Sequence, residues 1–179
     1  KYDIDVFLPN MLYGALVIPR ERYGSKVTEI DDTEAKKIPG FVKAVKVDDA
    51  LGKCMGWVVA LAEKFPQAMQ AAKALQVKWD QGPYGDLSSG DLKKEYQQMQ
   101  TEPDKAEGAW VLEGDVDKAL GEAEKTLELE YTTEMVCHAT MEPLNATVQQ
   151  VNDEWHVYTG TQGASFARMT LTGYLSKVL

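Results

Sequence analysis

The stretch from Tyr131 to Arg168 reads YTTEMVCHATMEPLNATVQQVNDEWHVYTGTQGASFAR and holds both histidines of the chain, His138 and His156, and one of its two cysteines, Cys137. Its patterning decides the fold class. Leu127 to Met135 and Thr147 to Tyr158 alternate apolar and polar residues, which predicts strands. Asn152-Asp153 supplies a turn between Val151 and Trp155. Thr159-Gly160-Thr161-Gln162-Gly163 then leads from an extended segment into a helix over Ala164 to Leu179, on which Ala167, Leu171, Tyr174 and Val178 share one face. A glycine-flanked polar residue at such a junction is well placed to meet a ligand. The backbone can be approached closely there, and the first free N–H groups of the helix point outward.

Working outward to the N-terminus, Tyr2 to Phe7 reads as a short strand closed by Leu8-Pro9-Asn10, and Met11 to Ile18 as a candidate central strand. Lys26 to Ile30 follows, then a short helix capped by Asp32 and ended by Pro39-Gly40. Phe41 to Val47 reads as a strand with Phe41, Lys43 and Lys46 outward and the valines and Ala44 inward. Residues 48–56 read as loop. Trp57 to Ala62, a helix over 65–75 and Gln76 to Asp80 form a β-α-β unit. Ala68, Ala71, Ala72 and Leu75 let that helix sit close against a sheet. Asp80-Gln81-Gly82-Pro83-Tyr84-Gly85 is a linker. Ser88 and Asp91 form a capping box ahead of a polar helix to about Gln100. Thr101 to Gly108 is loop-like. Val111-Leu112 ends a strand, and Asp115 caps a short helix over Val116 to Ala123.

The 179 residues suffice for one compact domain or two small ones. A net charge of −9 with no basic run argues against a nucleic-acid surface. No apolar run approaches the ~20 residues of a membrane span. Cys54 and Cys137 lie far apart without a CxxC, which argues against a disulfide framework or a cysteine zinc site. The chain lacks a starting methionine and ends inside a helical pattern. It therefore reads as a fragment of a longer polypeptide, with any targeting signal upstream.

His138 and Glu142 are four apart, but Pro143 follows at once and the second histidine of a zinc helix is absent, so no metal ligation is expected. By their residue types alone, His138 reads as a hydrogen-bonded core histidine, Glu142 as a loop carboxylate and His156 as a strand-surface residue. Neighbours in a strand point to opposite faces, so Cys137 and His138 make no dyad, and Cys137 reads as a buried structural thiol. Trp57, Trp79, Trp110 and Trp155 are scattered at strand-like positions and read as core or interface.

The pair HATMEP (138–143) and GTQ (160–162) resembles the opening of the molybdenum-cofactor region of molybdenum hydroxylase large subunits, the xanthine dehydrogenase and aldehyde oxidase family. Within it the branch of the isoquinoline 1-oxidoreductase beta subunit is the most similar. KYDIDVFLPNMLYGALVIPR, IDDTEAKKIPGFVKAV and AMQAAKALQVKWDQGP resemble that family's α/β-hammerhead domain, in the same order. Asn10 stands where LPGML would have glycine. The resemblance implies an α+β chain: a hammerhead-like domain over 1–82, a linker with a short helix over 83–108, and the truncated start of a molybdopterin-binding domain over 109–179.

It also implies the chemistry. The parent enzyme would hydroxylate an aldehyde or N-heterocycle with water as oxygen source and pass electrons to an iron–sulfur small subunit. Its cofactor would be a molybdopterin dinucleotide, in this branch typically the cytosine form. Gln162 matches the glutamine whose amide faces an oxo ligand of the molybdenum, and Gly160 and Gly163 would keep side chains out of the cofactor's way. His138, Met141 and Glu142 fall on the segment lining the approach to the metal, with Glu142 holding the loop by accepting backbone N–H bonds. The family's glycine-rich loops and catalytic glutamate lie further along and have no counterpart here, so the fragment is expected to bind no cofactor and to be inactive. The apolar face of the C-terminal helix would be a self-association surface. A subunit-docking module and a stand-alone structural protein are the other classes left open, and the coding sequence after Leu179 separates them.

Overall fold

The computed structural model describes residues 2–21, 23–47, 52, 54–101 and 113–178, with the side chains of 176–178 outside the description. Trp110, the strand end expected at Val111-Leu112 and most of the Thr101–Gly108 loop lie outside the described residues. The chain is α+β, with small antiparallel sheets and four α-helices among the described residues. It divides into two compact units, Lys1–Asp86 with Met141–Leu179, and Leu87–Thr140.

In the first unit, β1 (Tyr13–Val17), β3 (Phe41–Lys46) and β4 (Val58–Ala62) form an antiparallel sheet in the order β1-β4-β3. The helix α1 (Phe65–Ala74) packs against it. Pro66 in its first turn suits a position whose N–H would have no intrahelical partner. The interface is built from small residues: Ala15, Ala60 and Ala62 of the sheet face Ala68 and Ala71 of the helix, with Val58 and Leu75 closing one end. Alanines on both sides bring helix and sheet close and lose little side-chain entropy on burial. β2 (Lys26–Asp31) and β5 (Gln76–Asp80) form a separate antiparallel pair.

Several sequence expectations are corrected here. The β4-α1-β5 order is present, but its two strands lie in different sheets, so it is not a parallel crossover unit. The longer apolar run at 11–18 is an edge strand, and the alanine-rich β4 is central. In β3 a bulge at Val42, between the pairs Phe41–Ala62 and Lys43–Leu61, reverses the expected facing: Phe41 packs on the core and Val42 is exposed. Tyr2 to Phe7 is not a strand. The Asp5 N–H bonds the Tyr2 carbonyl at 3.0 Å and the Asp5 carboxylate accepts the Tyr2 N–H at 3.2 Å, closing a 3-10 turn at Asp3–Asp5. Asp32 provides no side-chain cap. Its carboxylate pairs with Lys36 at 2.7 Å, while Asp31 accepts the Thr33 N–H at 2.9 Å. Asn10 has φ +57°, so this asparagine adopts the left-handed conformation that glycine would take at that turn.

The ends of β2 and β5 are joined at a backbone-to-backbone contact. Gly82, at φ +67°, lies so close to Gly24 that a Cβ would stand 2.7 Å from the Gly24 carbonyl oxygen. Ser25, buried beside it, donates its hydroxyl to the Glu21 carbonyl, and the Trp79 indole N–H donates to the Gly56 carbonyl at 2.7 Å.

The C-terminal part of this unit is the hairpin β6 (Thr147–Val151) and β7 (Glu154–Tyr158), followed by α4 (Ala164–Val178). Asn152 and Asp153 both have positive φ, the signature of a two-residue type I′ turn, and Val151 pairs with Glu154 across it.

The second unit holds α2 (Ser89–Thr101) and α3 (Val116–Glu122). The capping box is present: Ser88 Oγ accepts the Asp91 N–H at 3.2 Å, and Asp91 accepts the Ser88 N–H at 3.1 Å. The Asp115 carboxylate caps α3 by accepting the Lys118 N–H at 3.0 Å. Leu127 to Met135 is not in a ladder, contrary to its alternation, because no strand pairs with it among the described residues. Among the described residues of 87–140 only Leu92 is even half-buried.

Candidate functional site

The turn 159–163 joins β7 to α4. The Thr161 hydroxyl accepts the Gly163 N–H at 3.1 Å, and the Gly163 carbonyl accepts the Ala167 N–H at 2.9 Å, opening the helix. Gln162 is exposed on this turn, and its amide has no hydrogen-bond partner among the described residues. Around Gly163 there is room: a Cβ there would meet only the Phe166 Cβ, at 3.7 Å.

Gly160 occupies a tighter place. A Cβ on it would lie 3.2 Å from Asp3 Oδ2 and 3.9 Å from Glu142 Oε2. Glu142 Oε1 accepts the Ile4 N–H at 3.3 Å and the Asn145 amide at 3.4 Å. Asn145 also donates to the Pro143 carbonyl at 2.9 Å, and its own carbonyl accepts the Thr159 hydroxyl at 2.9 Å. The loop 142–145 is thereby tied both to the first turn of the chain and to the end of β7. Asp3, Asn145 and Thr159 were not picked out from the sequence. Asp3 is 157 positions from Gly160, and no local pattern announces such a contact. Asn145, an amide two residues after Pro143, carried a turn signal that was legible.

Met141 is fully exposed. His138 and Cys137 are exposed and belong to the other unit, which corrects the buried readings of both: without a paired strand at 127–140 there is no sheet to cover them. His156 lies on the exposed side of β7, its Nε2 3.9 Å from Glu154 Oε2. Between β7 and α4 runs a groove of about 420 Å³ lined by Trp155, Val157, Thr159, Arg168 and Leu171. Ala167 and Leu171 thus turn toward the hairpin, while Phe166 and Met169 on the flank of α4 are bare. Among the described residues no three His, Cys, Asp or Glu side chains gather as a metal site, and no helix is long and apolar enough to cross a membrane.

The donor set at the turn is an uncharged amide and the free N–H groups at the start of α4, suited to a ligand that presents oxygens. Known families were compared with this chain. Residues 98–177 match the molybdopterin cofactor-binding domain. The matched stretch contains the 159–163 turn, and it begins upstream of residue 109. The chain is 38% identical over 171 residues to the membrane-bound aldehyde dehydrogenase [pyrroloquinoline-quinone] of Gluconacetobacter polyoxogenes, over 95% of this chain and 22% of that protein. It is 28% identical over 183 residues to a nicotinate dehydrogenase subunit of Pseudomonas putida, over 98% of this chain and 14% of that protein. The chain therefore spans about a fifth or less of the length of these relatives. A solved CO dehydrogenase from Oligotropha carboxidovorans aligns over 46% of this chain and 13% of that chain, with 21% identity and a TM-score of 0.35, a likeness too slight to carry an argument. Residues 98–177 are thus similar to a molybdopterin cofactor-binding domain, and nearly the whole chain is similar to a part of each of these two dehydrogenases.

Proposed function

We propose that this chain is a stretch of a molybdenum-dependent oxidoreductase of the isoquinoline 1-oxidoreductase beta-subunit type, acting on an aldehyde or an N-heterocycle. The observation that carries this reading is the molybdopterin-domain match across residues 98–177, which includes the exposed Gln162. The relatives' names agree in chemistry. An aldehyde carbon and a ring carbon beside the nitrogen of nicotinate are both electron-poor, and each can take an oxygen from water with loss of two electrons and two protons. The electrons would leave through an iron–sulfur small subunit.

One relative's name gives pyrroloquinoline quinone as its cofactor. We favour molybdopterin, because the domain match lies on this chain's own residues. Most of the quinone-named relative lies outside the stretch matched here.

In this reading residues 1–82 form the hammerhead-like domain and 109–179 open the cofactor domain, with 83–108 between them. When bound, the molybdenum centre, carried on a cytosine-type pterin dinucleotide, supplies the redox change and the oxygen delivered to the substrate carbon. Gln162 would donate an amide N–H toward the cofactor's oxygens. Because it is uncharged it would leave their electron density in place, and as a donor it would stabilise negative charge there. Gly163 leaves the approach clear. Glu142 and Asn145 fix the loop before β6. The 179 residues alone, with one amide at this turn, are expected to hold no pterin and to turn over no substrate.

The test is Gln162→Ala in the intact enzyme. Loss of one such donor typically lowers turnover by about 10²–10³-fold, roughly 2.7–4 kcal/mol, with KM much less affected. A variant with full molybdenum and wild-type turnover would remove Gln162 from the cofactor's surroundings.

A further inference from the structure

Gln162 stands on the turn 159–163, between the end of β7 and the start of α4. For an exposed amide there to be aimed, both ends of the turn must be fixed, because a group misplaced by ~1 Å loses much of its effect. The helix fixes one end: the Thr161 hydroxyl accepts the Gly163 N–H, and the Gly163 carbonyl accepts the Ala167 N–H. The other end lies past the hairpin ladder. The last pair of β6 and β7 is Thr147–Tyr158, and the same register carried on would set Asn145 opposite Gly160. A side-chain bond stands in for the ladder there: the Thr159 hydroxyl donates to the Asn145 carbonyl at 2.9 Å.

Asn145 is itself held. Its amide donates to the Pro143 carbonyl at 2.9 Å and to Glu142 Oε1 at 3.4 Å, and Glu142 Oε1 also accepts the Ile4 N–H at 3.3 Å. This arrangement has a cost. Asn145 Oδ1 is buried with no partner among the described residues, and a buried oxygen left unpaired is destabilising. What the side chain provides in return is the place of its own carbonyl, on which Thr159 sits.

We propose that Thr159 and Asn145 are positioning residues for Gln162. The Thr159 hydroxyl, seated on a carbonyl that the Asn145 amide fixes, holds the first end of the turn and so aims the Gln162 amide at its ligand. The proposal rests on the reading of Gln162 as a donor to the cofactor.

Thr159→Val keeps the size and branching of the side chain and removes the hydroxyl, whereas Thr159→Ser keeps the hydroxyl. In the intact enzyme Thr159→Val should lower kcat by about 10–10²-fold at full molybdenum content, with KM within ~2-fold of the parent. Thr159→Ser should restore most of that loss. In a Gln162→Ala background Thr159→Val should change kcat by less than ~3-fold, since no amide is left to aim. Amide hydrogen exchange at 160–163, measured also on cofactor-free protein, should be about 10-fold faster in Thr159→Val and parental in Thr159→Ser. Asn145→Ala should act in the same direction and combine with Thr159→Val less than additively.

A parental kcat in Thr159→Val overturns the proposal, as does the same loss with and without the Gln162 amide. So does a serine variant as poor as the valine one, or molybdenum lost in step with rate, which would make Thr159 a structural residue. Additive losses in the Asn145→Ala/Thr159→Val pair overturn the link through Asn145. If Gln162→Ala is itself silent at full molybdenum, the cofactor reading fails and the positioning has no object. Unchanged exchange in Thr159→Val beside a crippled Gln162→Ala overturns this proposal alone.

Discussion

Gly160→Ala examines the close approach on which the 142–145 loop depends. Gly160 lies outside the left-handed region, so alanine is sterically permitted there. Removing glycine freedom from the unfolded chain contributes about 0.4–1 kcal/mol of stability. Against this, the new methyl would stand 3.2 Å from Asp3 Oδ2, a few tenths of an ångström inside ordinary contact, and 3.9 Å from Glu142 Oε2. Asp3 must turn its carboxylate aside, and an off-rotamer side chain costs about 0.5–1.5 kcal/mol. The two effects oppose, so Gly160→Ala should change stability by between about +0.5 and −1 kcal/mol. In an Asp3→Ala background the clash is gone, and the same change should stabilise by about 0.4–1 kcal/mol. Urea unfolding of all four proteins, followed by circular dichroism, gives the coupling, expected near 0.5–1.5 kcal/mol. An identical shift in both backgrounds would mean that Asp3 does not lie over Gly160, and the described tie between the first turn and the 159–163 turn would be wrong.

Two further changes probe the scaffold. Gly82→Ala puts a side chain on a residue at φ +67° and 2.7 Å from backbone, which cannot swing away. It should cost the left-handed penalty of about 1–2 kcal/mol and more for the collision, lowering the unfolding midpoint far more than Gly160→Ala does. Ser88→Ala removes the hydroxyl and, with it, the main cause that holds the Asp91 carboxyl below its ordinary value, the Ser88 backbone N–H being the next. A carboxylate lowered by folding contributes stability above its unfolded pKa and loses it as pH falls through the folded value. The variant's Asp91 should therefore titrate at higher pH by NMR, and α2 should fray at less acidic pH than in the parent.

Much of the secondary structure was legible because its signals are local. The alanines of α1, the Asn152-Asp153 turn, the Ser88-Asp91 box and the Asp115 cap each act within a few residues, and all four are present in the structure. What local pattern cannot carry is partner choice. The apolar run of Met11 to Ile18 predicts a strand but not whether it lies at the centre or the edge of its sheet. The bulge at Val42 is invisible until β4 is beside it. Leu127 to Met135 has the pattern of a strand, yet its pairing depends on residues other than its own. At the candidate site the turn 159–163 was legible from its glycines, and Gln162 stood out through family resemblance. The Asp3–Gly160 approach was not, since it joins opposite ends of the sequence.

The central claim is that this chain belongs to a polypeptide that binds a molybdopterin, and cofactor analysis of the intact protein tests it most directly. Elemental analysis should find about one molybdenum per polypeptide, and acid-oxidised extracts should show pterin fluorescence with a cytosine nucleotide. Intact protein that oxidises an aldehyde or N-heterocycle while holding no molybdenum, and that releases a quinone instead, would contradict the account.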